Sequence, residues 1–153
     1  RDGARRLTRS NDDATGALLF IDLNEFKAIN DQYGHEVGDQ LLRTAAERLK
    51  KGLRSCDIIG RPGGDEFVAL VPDVDAAIAD KLAKRLTNAL EEPYNINEQR
   101  LVCTASIGLA LYPDNASTLT GLLREADQAM YRAKARCRGA TDIRSGDLLE
   151  KAM

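Results

Sequence analysis

The sequence predicts an α+β fold, an antiparallel-rich central sheet covered by helices, and three observations predict it. The first is a continuous apolar run ending in an acid, "ALLFID", at residues 17 to 22. The second is a pair of short β-rich runs, "DIIGR" and "FVALV", set around a glycine pair. The third is a set of long stretches in which apolar residues recur every three or four positions. Strands and helices mixed in this way form a layered sandwich.

The apolar run suits a central strand buried on both faces, with Asp22 at its C-terminal mouth. A short helix follows from Phe26 to Tyr33, and Gly34 and Gly38 break it ahead of a longer helix from about Asp39 to Leu53. That helix carries Leu41, Leu42, Ala45, Ala46, Leu49 and Leu53 on one stripe. The two β-rich runs flank Pro62 to Glu66 as a hairpin. A second amphipathic helix, Val74 to Leu90, places Ile78, Leu82, Leu86 and Leu90 on one face and stops at Pro93. "RLVCTASIGLALY" reads as one further strand, and Leu119 to Arg136 as the last long helix, with Leu122, Leu123, Ala126, Met130 and Ala133 inward. The polar residues 1–16 read as a truncated helix or linker, residues 17–140 as the domain, and residues 141–153 as a short strand or tail.

At 153 residues, 43% hydrophobic and 30% charged, the chain suits one soluble domain with a real core. Its net charge of -2, with both signs interspersed, argues against a broad nucleic-acid or membrane surface. Any phosphate binding is therefore local. Cys56, Cys103 and Cys137 are odd in number and far apart, which supports neither a disulfide framework nor a zinc site and fits a reducing cytoplasm. The apolar runs are too short to span a bilayer, although a longer parent protein could carry an anchor.

The chemistry concentrates in "RPGGDEF", residues 61 to 67. If this hairpin pairs beside the first strand, Asp22 comes within reach of Asp65 and Glu66. Gathered carboxylates repel unless a cation neutralises them, and an all-oxygen ligand set points to Mg²⁺ or Mn²⁺, which in turn suits a nucleoside triphosphate. The bland alternative is a solvated turn, since Gly, Asp and Glu are ordinary turn residues.

"DLNEFKAINDQYGHEVGD", residues 22 to 39, together with "RPGGDEF", resembles the GGDEF family of diguanylate cyclases. "TASIGLALYP" and "ADQAMYRAK" continue the resemblance, which covers roughly residues 17 to 138. It implies a ferredoxin-like fold similar to the palm of nucleotidyl cyclases. It also implies condensation of two GTP into cyclic di-GMP with release of two pyrophosphates. By resemblance Asp22, Asp65 and the Leu23 carbonyl ligate metal, and Glu66 helps bind a second ion or steers proton removal. Asn30 and Asp39 match the guanine-reading pair, and Phe26 and Lys27 open a helical turn whose free N–H groups hold phosphates, Phe26 itself being a core residue. His35 sits beside the nucleotide without a proton-transfer role. Lys134 and Arg138 match residues that bind terminal phosphates.

"RSCD" matches the family's inhibitory product site, with Arg54 on the phosphates and Asp57 on the guanine edge; the alternative is a surface ion pair. Asn24 stands where an Asp is common and Cys137 where a Gly is common, and Pro62 stiffens the hairpin entry. The family's opening signature is absent, as in an excised piece. "EEPYNI" and "SIGLALYPDNAS" resemble cyclase modules in tandem with EAL phosphodiesterase domains. Two functions follow: an active cyclase working as a transient homodimer, or a GTP-binding regulatory module of a fused EAL domain. Linked sensor or EAL domains are the expected covalent partners, with no nucleic acid and no direct membrane contact.

Overall fold

A computed structural model describes residues 14–137. The readings made for the N-terminal linker, for Arg138 and for the C-terminal strand or tail lie outside the described residues. Strand β1, Gly16–Leu23, is buried along its whole length. It runs up the middle of a four-stranded sheet ordered β2-β3-β1-β6, where β2 is Ile58–Gly63, β3 Glu66–Pro72 and β6 Ala105–Tyr112. Every pairing in this sheet is antiparallel. A continuous apolar run is what such a position requires, because both of its faces are covered.

The alternation of side chains along β1 divides the core. Ala17, Leu19, Ile21 and Leu23 join the larger cluster with Phe67, Ala69 and Val71 of β3. The same cluster takes in helices α1, Phe26–Tyr33, α2, His35–Gly52, and α3, Ala76–Glu91, through Phe26, Leu41, Leu49, Leu82 and Leu86. Leu18 and Phe20 point the other way. They pack with Leu70 and Ala110 beneath Leu122, Ala126 and Met130 of α4, Leu119–Cys137. Gly108 lets that helix lie close, since a Cβ there would stand 2.0 Å from the Ala126 carbonyl oxygen and 2.2 Å from the Met130 nitrogen.

Three expectations need correction. Helix α2 begins at His35 rather than Asp39, and Gly38 lies inside it. Gly34 alone makes the break, with φ 98, a left-handed value that suits glycine. Helix α3 begins at Ala76, capped by Asp75, whose carboxylate accepts from the Ile78 nitrogen at 2.8 Å. Ile78 falls in its first turn and is 52% exposed, so Ala79 takes its place on the buried stripe with Leu82, Leu86 and Leu90.

The run "RLVCTASIGLALY" is not one strand. Its first residues close a small hairpin, β4 at Tyr94–Ile96 with β5 at Gln99–Leu101, which forms a separate two-stranded sheet. Asn97 and Glu98 make the turn with φ 51 and φ 65. Paired left-handed residues are normally advertised by Asn-Gly, and here a glutamate holds the second position. Among the described residues, no helix is long and apolar enough to cross a membrane.

Candidate active site

Asp22 is the one charged residue of β1, and period-two alternation aims it at the α4 face. Its Cα partners are Glu66 on β3 and Ser106 on β6. The hairpin tip follows from that register, with Gly64 and Asp65 connecting β2 and β3 and the Leu23 N–H donating to the Asp65 carbonyl at 3.2 Å. Gly63 leaves room for the neighbouring acid, because a Cβ there would lie 2.5 Å from Glu66 Oε1. Asp22 and Asp65 come within hydrogen-bonding reach, and Glu66 stands opposite Asp22 on the neighbouring strand.

The Asp22 side chain is only 7% exposed, and the Lys134 ammonium of α4 forms an ion pair with it. Burial raises the Asp22 pKa, Lys134 opposes that rise, and the nearby Asp65 carboxylate adds to it by charge and by hydrogen bonding. Glu66 is raised as well, first by burial and then by Asp22, Asp65 and Asp127. Asp127 was not singled out from the sequence. The available signal was its spacing of seven residues from Lys134, two helical turns along the same stripe.

Oxygen-only donors, one of them buried among like charges, fit a hard divalent cation. Among the described residues no three His, Cys, Asp or Glu side chains form a cluster that could hold a metal ion. The two carboxylates that could hold such an ion together are Asp22 and Asp65.

Asn24 follows Leu23 at the exit of β1, and its amide is spent on structure. Nδ2 donates to Thr104 Oγ1 at 3.0 Å, Ser106 Oγ donates to Asn24 Oδ1 at 3.0 Å, and the Asn24 N–H donates to the Thr104 carbonyl at 2.8 Å. These bonds tie the exit of β1 to the approach of β6. Cys103 lies in the same junction, its thiol pushed up to about 11 by burial, with Asp22 and Asp65 contributing.

The other candidate residues form a second corner. The reversal at Gly34 brings α1 back along α2, and Asn30 meets Gly38 beside Asp39. Asn30 Oδ1 is buried without a hydrogen-bond partner. Asp39, His35 and Lys27 are exposed, whereas Phe26 is 8% exposed and belongs to the core.

Arg54 and Asp57 lie in the loop between α2 and β2 and bind each other. The Arg54 N–H donates to Asp57 Oδ2 at 2.8 Å, and its guanidinium donates to Asp57 Oδ1 at 3.1 Å and to the Pro72 carbonyl at 2.6 Å. Asp57 raises the Arg54 pKa through that hydrogen bond. The Asp57 side chain is 1% exposed and that of Arg54 49%. Pro72 and Glu66 are the two ends of β3, so this pair stands about 20 Å from the acid cluster, at ~3.3 Å per residue.

Comparison with known proteins supplies the context. The family profile "Diguanylate cyclase, GGDEF domain" matches residues 4–140. The bifunctional diguanylate cyclase/cyclic di-GMP phosphodiesterase MucR of Pseudomonas aeruginosa is 47% identical over 123 residues, 80% of this chain and 18% of MucR. The cyclic di-GMP phosphodiesterase NbdA of the same organism is 39% identical, over 89% of this chain and 17% of NbdA. This chain thus spans about a fifth of those relatives. The crystal structure of the GGDEF domain of PA1120 (YfiN or TpbB), also from Pseudomonas aeruginosa, superposes with a TM-score of 0.81 at 39% identity, covering 85% of this chain and 83% of that one.

Proposed function

The chain belongs to the diguanylate cyclase GGDEF domain family, and on that premise we propose that it condenses two GTP into cyclic di-GMP with release of two pyrophosphates. The observation that carries the reading is the buried Asp22 carboxylate held beside Asp65 at the hairpin turn. Asp22, Asp65 and the Leu23 carbonyl would hold Mg²⁺ or Mn²⁺. Such an ion, when bound, offsets the charge that develops on the α-phosphate and the leaving pyrophosphate.

The chain's own residues do the rest. Asn30 and Asp39 read guanine, the carboxylate accepting from the ring N1–H and the exocyclic amine, a donor pair adenine lacks. The first turn of α1, at Phe26 and Lys27, offers N–H groups to phosphate, and Lys134 and Arg138 add positive charge at the terminal phosphates. His35, at the start of α2, borders the nucleotide. Glu66, on the strand beside Asp22, either helps hold a second ion or accepts the proton of the attacking 3′-hydroxyl. The O3′–Pα bond then forms as the bond from Pα to pyrophosphate breaks.

One domain holds one GTP, yet the product has two such linkages, so two domains must face each other about a two-fold axis as a transient homodimer. Arg54 and Asp57, remote from the acids, form the product-inhibition site. GTP as substrate places the domain in the cytoplasm. The second reading, a GTP-binding module that regulates a fused EAL phosphodiesterase, draws its support from the likeness to NbdA.

Incubating the chain with GTP and Mg²⁺ and measuring cyclic di-GMP against protein concentration tests the proposal. Product whose rate per chain rises with concentration is expected. GTP binding without product, even after fusion of a dimerising helix, would move the assignment to the regulatory reading.

A further inference from the structure

Gly38 is the fourth residue of helix α2, at the end of its first turn, where glycine costs more backbone entropy than alanine. Its φ is not left-handed, so the backbone does not demand it. Space does. A Cβ at this position would stand 1.8 Å from Asn30 Oδ1 and 2.9 Å from its Cγ, with the Phe26 ring 3.2 Å away on another side. Phe26 is fixed in the core, so the side chain that would have to yield is Asn30.

Asn30 Oδ1 is also buried with no hydrogen-bond partner, a state that ordinarily costs stability. An amide has an acceptor end and a donor end. With the oxygen lodged against the Gly38 backbone, the NH₂ end is the one left to meet a ligand, and it can only donate.

We propose that Gly38 is a positioning and specificity-determining residue. Its missing side chain forms the seat that holds the Asn30 amide with its donor end toward the base, while the adjacent Asp39 supplies the acceptor. Donor and acceptor side by side then match guanine, which offers ring acceptors next to its N1–H and amine donors. This rests on the guanine reading of Asn30 and Asp39 given above. A methyl group at position 38 evicts the amide and removes the donor without touching any charge or any metal-binding oxygen.

The test is binding of 3′-deoxy-GTP and 3′-deoxy-ATP, which lack the attacking hydroxyl and cannot condense, to the unmodified chain, Gly38→Ala, Asn30→Ala and the double variant. The unmodified chain should prefer the guanine nucleotide. Gly38→Ala should bind it about tenfold more weakly, the loss of one hydrogen bond, with adenine nucleotide binding unchanged. In the Asn30→Ala background the same substitution should have no further effect.

Full guanine affinity in Gly38→Ala, or an equal loss with and without Asn30, would overturn the inference while leaving the guanine reading intact. Equal binding of both nucleotides by the unmodified chain would defeat the guanine reading itself, and the inference with it. If Gly38→Ala fails to fold, truncation of Asn30 relieves the overlap. A folded Asn30→Ala/Gly38→Ala chain then supports the seat, and an unfolded one refutes it.

Discussion

The two faces of the central sheet are built from the same strands, yet they differ in what they hold. On the face covered by α1, α2 and α3, the inward residues of β1 are Ala17, Leu19, Ile21 and Leu23, all apolar and all fully buried. On the α4 face the corresponding series is Leu18, Phe20 and Asp22, with a single helix above it. The thick face buries enough apolar surface to hold the domain together. The thin face can therefore end in a row of acids that no stable core would choose, with Lys134 supplied by the covering helix.

The largest effect expected from this division is on turnover. Asp65→Ala should lower cyclic di-GMP formation by at least about 10²-fold, on the order seen when a key electrostatic group is removed from an active site. Its melting temperature should stay the same or rise slightly, because repulsion with Asp22 and Glu66 is relieved. Stability is the converse readout. Leu19→Ala, on the thick face, should cost about 3 kcal/mol in denaturant unfolding, whereas Leu123→Ala, half-buried on α4 itself, should cost about 1 kcal/mol. Equal losses would mean that the two faces share the load.

Gly108→Ala joins the two faces' roles. The methyl would press on the α4 backbone rather than on a flexible side chain end, so it should cost about 2 kcal/mol and reduce turnover by shifting Lys134. Loss of stability with unchanged turnover would show that the seating of α4 does not set the site.

Much of this was legible in the sequence because it rests on local rules. The apolar run at residues 17 to 22, the Gly-Gly hairpin and the α4 stripe each follow from period and turn chemistry, and the register that sets Asp22 opposite Glu66 follows from them. The misreadings came where tertiary space overrode local preference. Gly38 looks like a helix breaker, but Asn30 requires its bare backbone. Residues 94–101 form a hairpin whose turn lacks a glycine. Ile78 fits the helical spacing but falls in a first turn that faces solvent. Asp127 was legible only through its seven-residue spacing from Lys134; its contribution to the acid row comes from charge across elements, which a one-dimensional pattern does not show.

The smallest effect concerns the far end of β3. Arg54→Ala removes a half-exposed guanidinium and its bond to the Pro72 carbonyl but keeps the Arg54 N–H on the buried Asp57 carboxylate, so it should cost about 1 kcal/mol. Calorimetry should show weaker cyclic di-GMP binding with GTP binding nearly intact. Full product affinity would return the pair to a purely structural role.

The claim that the acid row exists to hold a cation is tested most directly by titrating Mn²⁺ into the nucleotide-free chain and into Asp65→Asn and following the bound ion by its paramagnetic signal. The account predicts saturable binding by the unmodified chain that is lost in Asp65→Asn, with both proteins equally folded. Indistinguishable Mn²⁺ binding by the two would contradict it.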